Sequence, residues 1–253
     1  MSTLAVIVIT RNEADNIGEC LAGASWADEL IVIDSQSTDA TVEIARRYTD
    51  QVYVEPWRGY AENKTMALSR CHSDWVFWLD ADERITGPLA EEIRRLIDSQ
   101  PVENGFRVAR KAYFLGRWIR HCGWYPGYVL RLFRRSHGRF NGRLVHEGVE
   151  VEGACGRLKN SLLHYTDRTL EQYLEKFNRY TTLAAQELHG RGRRAGAASF
   201  LLRPLHQFVK MYVIKRGFLD GVEGLALCLL SAHYVAAKYA KLWELSHCVE
   251  EKK

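Results

Sequence analysis

The six cysteines (Cys20, Cys71, Cys122, Cys155, Cys228, Cys248) include no CxxC pair, and no histidine cluster has zinc-finger spacing. That scatter speaks against a disulfide framework or a structural zinc site and favours a reducing, cytoplasmic compartment. Also missing is an unbroken apolar run of about 18 residues. The most apolar late stretch, GLALCLLSAHYVAA, is short and contains His233, so a membrane-spanning helix is not expected. At the amino terminus, LAVIVI lacks a basic flank and a cleavage site, so it reads as a strand and not as a secretory signal. Internal repeats and low-complexity segments are absent. Acids are absent from Leu188 to Leu219, whereas Arg191, Arg193, Arg194, Arg203, Lys210, Lys215 and Arg216 all fall there. The overall formal charge is only +4, so this asymmetry, and not the total, predicts an anionic partner.

What is present begins with alternation. LAVIVIT, ELIVIDS, QVYVEP and DWVFWLD are strand-like runs separated by the helical stretches EADNIGECLAGA, STDATVEIARRY and YAENKTMALSRC, with GPLAEEIRRLIDSQ after the last strand. Ser37 or Asp39 is expected to cap the second helix, with Val42, Ile44 and Ala45 inward, and Pro88 sits at a helix start. Four successive βα units predict an α/β fold with a doubly wound, mostly parallel sheet. From Gly105 the texture changes to strands and hairpins rich in arginine and aromatics, and helical periodicity returns at about residue 168. The composition break at 190–196 suggests a domain over 1–190 and a helical, basic and amphipathic extension over 191–253.

The fourth strand ends in Asp80, Asp82 and Glu83. Like charges this close repel, so a positive group is expected among them. In an extended chain Asp80 and Asp82 share a side. Two converging carboxylates at a strand end suit a hard divalent ion, Mg²⁺ or Mn²⁺, that also takes diphosphate oxygens. The bland alternative is a solvated turn in which Asp82 or Glu83 caps the next helix.

VIVITRNEADNIGECL, ELIVIDSQSTDATVEIA, GYAENKTMAL and WVFWLDADERI, in this order, resemble the family 2 glycosyltransferases of the GT-A fold. RLFRRSHGRFNGRLVHEGV and LLHYTDRTLEQYLEKFNRY resemble more narrowly the lipopolysaccharide-core β-glucosyltransferase group. The resemblance implies a GT-A-like sheet and an inverting transfer of a hexose, glucose from UDP-glucose, onto a lipid-linked glycan such as the lipopolysaccharide inner core. It also implies that Thr10, Arg11, Asn12, Glu13, Asp34 and Lys64 line the nucleotide-sugar pocket and that Asp80 and Asp82 hold the metal and sugar diphosphate. At residues 34–39 the chain departs from the broader family, placing Ser35 and Gln36 where a second acid and a glycine are frequent.

The remaining candidates follow from chemistry beside the analogy. A departing diphosphate needs its charge met, and Arg131, Arg134 and Arg135 are available; Arg131 and Arg135 would share a strand face, unless this is simply a charged edge strand. Glu147 in VHEG matches the narrower group's HE element and is expected to be the general base, with His146 and then Asp167 as substitutes. His164 either completes the metal shell or is a buried histidine held by a backbone carbonyl. Trp118, Trp124 and Tyr125 form a sugar platform or part of the core. SFLLRPLHQFVKMYVIKRGF has the spacing of a helix lying in a membrane interface, which would place the protein on the inner face of the cytoplasmic membrane; the alternative is a homo-oligomer contact. No nucleic-acid-binding module accompanies its basic residues. Rival readings are a nucleotidyltransferase on a similar sheet or a non-catalytic membrane-associated scaffold.

Overall fold

The computed structural model describes residues 1–141, 148–167 and 169–247. The chain forms two compact units, one of Met1–Lys111 with Gly127–His164, the other of Ala112–Pro126 with Tyr165–Lys253.

In the first unit, β1 (Leu4–Thr10), α1 (Ala14–Ala22), β2 (Glu29–Asp34), α2 (Thr41–Ala45), β3 (Val52–Val54), α3 (Tyr60–Ser69) and β4 (Trp75–Asp80) follow the expected alternation. β1 pairs in parallel with β2 and with β4, and β2 with β3, so the order is β3-β2-β1-β4. Every residue of β1 is buried, as a strand covered on both faces requires. Its alternate side chains supply two cores. Leu4, Val6 and Val8 pack with Ile17 and Leu21, while Ala5, Ile7 and Ile9 pack with Ala67 and Cys71.

After β4 come the two-residue β5 (Glu83–Arg84) and α4 (Gly87–Asp98). Thr86 caps α4 by accepting a hydrogen bond from the Leu89 amide, and Pro88 occupies its first turn, where no amide hydrogen is needed. Leu89, Ile93 and Ile97 form its buried stripe. The chain then runs through β6 (Gly105–Phe114), β7 (Arg117–Trp118), β8 (Gly127–Arg134), β9 (Gly138–Phe140), β10 (Val149–Val151) and β11 (Cys155–Asp167). Beyond β4 the pairing is antiparallel. β8 joins β4, β6 joins β8, and β5 lies along β11 with His164 opposite Glu83. β9 and β10 form a separate hairpin.

The second unit contains α5 (Leu170–Gly190), α6 (Ala197–Val209) with a π turn at Lys210–Ile214, a 3₁₀ turn at Gly217–Asp220, and α7 (Gly221–His247). The composition break at 190–196 is the turn between α5 and α6, inside this unit. α5 stays with it because Tyr173 packs into a core of Phe114, Met211 and Leu227, and Lys241 donates from α7 to the Asn178 and Thr181 oxygens. The late apolar segment, GLALCLLSAHYVAA, lies within α7, and His233 falls inside that helix. The His233 ring stacks on Phe177 at 5.1 Å and is accommodated within α7. Gly217–His247 is thus 31 residues of helix, long and apolar enough to cross a membrane by length and composition, with 22% of its most apolar window buried.

Helix α7 starts by passing close to its own preceding turn. A Cβ on Gly224 would lie 2.3 Å from the Gly217 carbonyl oxygen. Backbone cannot yield as a side chain can, so Gly224→Ala is expected to lower stability by about 1–3 kcal/mol in urea unfolding, the usual cost of overpacking.

Candidate active site

Register brings the candidate residues together. In the parallel pairs, Thr10 lies opposite Asp34 and Ile9 opposite Asp80, so the carboxyl ends of β1, β2 and β4 form one row. The strand order reverses between β1 and β4, and in open α/β sheets the crevice at that point is where ligands bind.

On the β1–β2 side, Asp34 is fully buried and accepts hydrogen bonds from the Ser37 amide (2.8 Å) and hydroxyl (2.5 Å). The Asn12 amide donates to Ser37 Oγ, and Asn12 Oδ1 accepts from the Thr38 amide, each at 2.8 Å. Asn12 holds a left-handed conformation (φ 53°), which its short polar side chain tolerates. The Glu13 amide donates to Thr41 Oγ1. These bonds lace the two loops into one wall, on which Arg11 is exposed. Thr10 is buried, and its hydroxyl has no hydrogen-bond partner among the described residues. The capping expectation for α2 is corrected here. Ala40 holds the cap position, Ser37 is occupied by Asp34, and Asp39 accepts from the Thr41 amide and hydroxyl. Of the three inward residues expected, Ala45 is buried and Val42 and Ile44 are half-buried.

On the β4 side, the extended-chain premise for Asp80 and Asp82 fails. β4 ends at Asp80, and Ala81 and Asp82 turn, so the two carboxylates meet different partners. Asp80 Oδ2 accepts from Arg131 Nη2 at 2.7 Å, and its Oδ1 lies 3.8 Å from Lys64 Nζ. Asp82 Oδ2 lies 3.4 Å from His164 Nε2, where the β5–β11 pairing places that ring. Glu83 is fully buried. Its Oε1 accepts from Arg131 and lies 3.8 Å from Arg110, and its Oε2 accepts from the Asp80 amide. The mutual repulsion of the three acids is therefore met by the protein's own cations. Trp78 anchors two of them, with the Arg131 guanidinium carbon 3.4 Å and Lys64 Nζ 3.8 Å from its ring centroid.

Burial works to raise the Asp80 pKa, but Arg131 and Lys64 outweigh it and hold the carboxyl well below the usual range. For Glu83 burial wins and the pKa is raised, even with Arg131 opposing. Burial disfavours a charged His164, yet Asp82 outweighs it and the imidazole pKa lies above its ordinary value.

Of the three arginines in RLFRR, only Arg131 enters this cluster. Arg134 donates to the Pro101 carbonyl, and Arg135, past the strand end in a 3₁₀ turn, donates to the Ser73 carbonyl. Residue 135 has left the strand, so the shared-face expectation fails. Glu147 and His146 lie outside the described residues. Their flanks are fixed, because Asn141 and Gly148 exchange hydrogen bonds at 3.0 Å and Phe140 packs edge-on to Trp78. In the second unit Asp167 pairs with Lys176 at 3.2 Å, and Trp124 packs on Phe114 within the apolar core. Trp118 and Tyr125 meet edge to face.

Sequence reasoning missed Asn63 and Arg110, and gave Glu83 and Ser35 no part in the site. Asn63 is fully buried, donates to Ser35 Oγ at 2.9 Å and accepts from the Arg58 amide, so α3 braces the loop after β2. A signal was present. YAENKTMALS lacks an apolar stripe, and its inward face carries Asn63 and Lys64 beside Ala67.

A sheet of order β3-β2-β1-β4, with acids ending β2 and β4 and cations gathered round the latter, is the arrangement of a GT-A-type sheet. Residues 5–155 match the family model described as "Glycosyl transferase family 2", and the chain belongs to that family. It is 32% identical over 95% of its length, and 92% of the relative's, to the lipopolysaccharide core biosynthesis glycosyltransferase LpsC of Rhizobium meliloti (strain 1021). An uncharacterized glycosyltransferase of Rickettsia prowazekii (strain Madrid E) is 28% identical over 97% of this chain and 88% of its own. Among solved structures, the mannosyltransferase PcManGT of Pyrobaculum calidifontis, in complex with GDP-Man and Mn²⁺, shares the fold at a TM-score of 0.54. That match has 18% identity and covers 95% of this chain and 87% of that one.

Proposed function

We propose that this glycosyltransferase moves glucose from UDP-glucose, with inversion, onto a lipid-linked glycan acceptor of the lipopolysaccharide inner-core type. The observation that carries the reading is the row of Thr10, Asp34 and Asp80 along three strand ends, with Lys64 and Arg131 beside its last member. The likeness to LpsC supports the acceptor class.

The residues divide the work by their chemistry. The Thr10 hydroxyl, without a partner among the described residues, and the walled-in Asp34 would meet a nucleoside's hydrogen-bonding groups, with Asn12, Glu13 and the exposed Arg11 forming the rim. Lys64 and Arg131 are fixed cations where a diphosphate gains charge as the sugar leaves, and prepaid orientation makes them most effective in the transition state. Arg131 Nε and Nη1 are buried without hydrogen-bond partners among the described residues.

A divalent cation fits the donor set in part. No group of three or more His, Cys, Asp or Glu among the described residues is arranged as a metal shell. Asp82 and His164 do converge, as one oxygen and one nitrogen donor, and such an open pair suits Mn²⁺ or Mg²⁺ sharing diphosphate oxygens. Asp82 and His164 would hold the ion, with Asp80 beside them; when bound it supplies charge stabilisation for the leaving diphosphate. Glu147 takes the proton of the acceptor hydroxyl.

Asp82→Asn is expected to lower kcat by about 10²–10³-fold, the scale of losing one transition-state stabiliser. Steady-state release of UDP with and without Mn²⁺ checks it, and unchanged metal-dependent turnover would remove the metal role. Wild-type protein should also gain thermal stability from UDP-glucose with Mn²⁺, since a ligand of the native state raises Tm. Pyrophosphate as product would instead identify a nucleotidyltransferase, and no stabilisation by any nucleotide sugar would identify a scaffold.

A further inference from the structure

The second unit carries an outward apolar face for which the catalytic reading has no use. α6 has two apolar sides. Pro204 and Phe208 are half-buried and Met211, in the following turn, is buried, so one side is spent on packing within the unit. The other is not. At 3.6 residues per turn, Leu201, Leu202, Leu205 and Val209 lie within an arc of about 100°, and the three leucines are 72%, 63% and 59% exposed. The exposure continues past the helix end, with Ile214 at 66% and the adjacent Phe218 and Leu219 at about half. Large apolar side chains exposed singly are ordinary, but a run of them along one helix and the next turn is not.

Charge selects the occupant. The acid-free stretch of 188–219 puts Arg203, Lys210, Lys215 and Arg216 on α6 and the turns after it and Arg191, Arg193 and Arg194 in the connection that leads into α6, and Arg193, Arg194 and Lys210 among them are exposed. A second copy docked on this face by a two-fold axis would set cations against cations. An anionic bilayer surface takes both components at once, leucines into the acyl boundary and lysines and arginines against phosphate. We infer that the exposed face of α6 and the turn through Leu219 is a docking surface for anionic lipid, holding the enzyme peripherally on a membrane.

The surface is independent of the nucleotide site, so the two readings fail separately. Full-length protein is sedimented with vesicles of phosphatidylcholine containing 30% phosphatidylglycerol, and with phosphatidylcholine alone. Binding is expected only to the anionic vesicles and should weaken with salt. L202E/L205E should lower the partition coefficient at least tenfold, and R193Q/R194Q/K210Q about fivefold per cation removed. Both variants should keep the wild-type Tm and the wild-type stabilisation by nucleotide sugar, because the altered side chains are exposed. No sedimentation at low salt, or unchanged binding by L202E/L205E, would overturn the inference. So would a dimer in analytical ultracentrifugation that L202E/L205E dissociates, which would give the face to a second copy. Resistance to carbonate extraction would overturn it in favour of Gly217–His247 spanning the bilayer.

Discussion

Replacing Arg131 with methionine is expected to lower the unfolding free energy by about 3–5 kcal/mol, the range for removing one partner of a buried ion pair. Arg131 is 1% exposed and joins two acids, Glu83 at 0% and Asp80 at 33% side-chain exposure. Its loss leaves Glu83 with the Asp80 amide and an arginine 3.8 Å away, in a place water does not reach. The hydrophobic replacement keeps contact with Trp78, so the cost isolates the charge and not the volume. A double-mutant cycle with Glu83→Gln should recover part of the loss, since the second change removes the acid that was stranded. Guanidinium unfolding of the four proteins measures this. A single-variant loss below about 1 kcal/mol would show that the pair is not buried as described.

Glu147→Gln is the second change with a large expected effect, a fall in transfer rate of about 10²–10⁴-fold, the contribution of a positioned general base. Glutamine keeps the shape and loses the proton acceptor. Donor binding should be unaffected, because the candidate donor residues lie on β1 and the loop after it, β2, α3, β4 and the turn after it, β8 and β11, and none of them is changed. Glu147 lies outside the described residues, and the described strands on either side of it are β9 and β10. Phe140 and Val149 are opposite each other in β9 and β10, and Phe140 rests on Trp78, the ring that holds Lys64 and Arg131. Single-turnover transfer, with UDP-glucose binding measured by calorimetry, separates the two quantities. Equal transfer rates in Glu147→Gln and wild type would pass the role to another group, and His146→Ala would then be the next variant to assay.

Much of this was legible in the chain. LAVIVIT and WVFWLD read as buried strands because nearly every residue is apolar, and both are buried on two faces in the sheet. The abrupt change to Asp80, Asp82 and Glu83 marked the strand end where the candidate site lies. Less legible was the charge balance there. Sequence placed three acids together and predicted a positive counterpart, but Lys64, Arg110, Arg131 and His164 come from four other elements. Helical periodicity in the late apolar stretch was legible as well, and it lies within α7. His233 interrupts a hydropathy run, yet a ring stacked on Phe177 does not interrupt a helix.

By itself the sequence determined the βα order, the strand whose end holds the acids, and the acid-free, leucine-bearing character of 188–219, because alternation, burial and local charge are properties of neighbouring residues. Only the tertiary structure decided which cation meets which acid, that Asp80 and Asp82 part company at a turn, and that the α6 leucines face outward. Those are contacts between residues far apart in the chain, fixed by strand register and helix packing, and no local pattern encodes them.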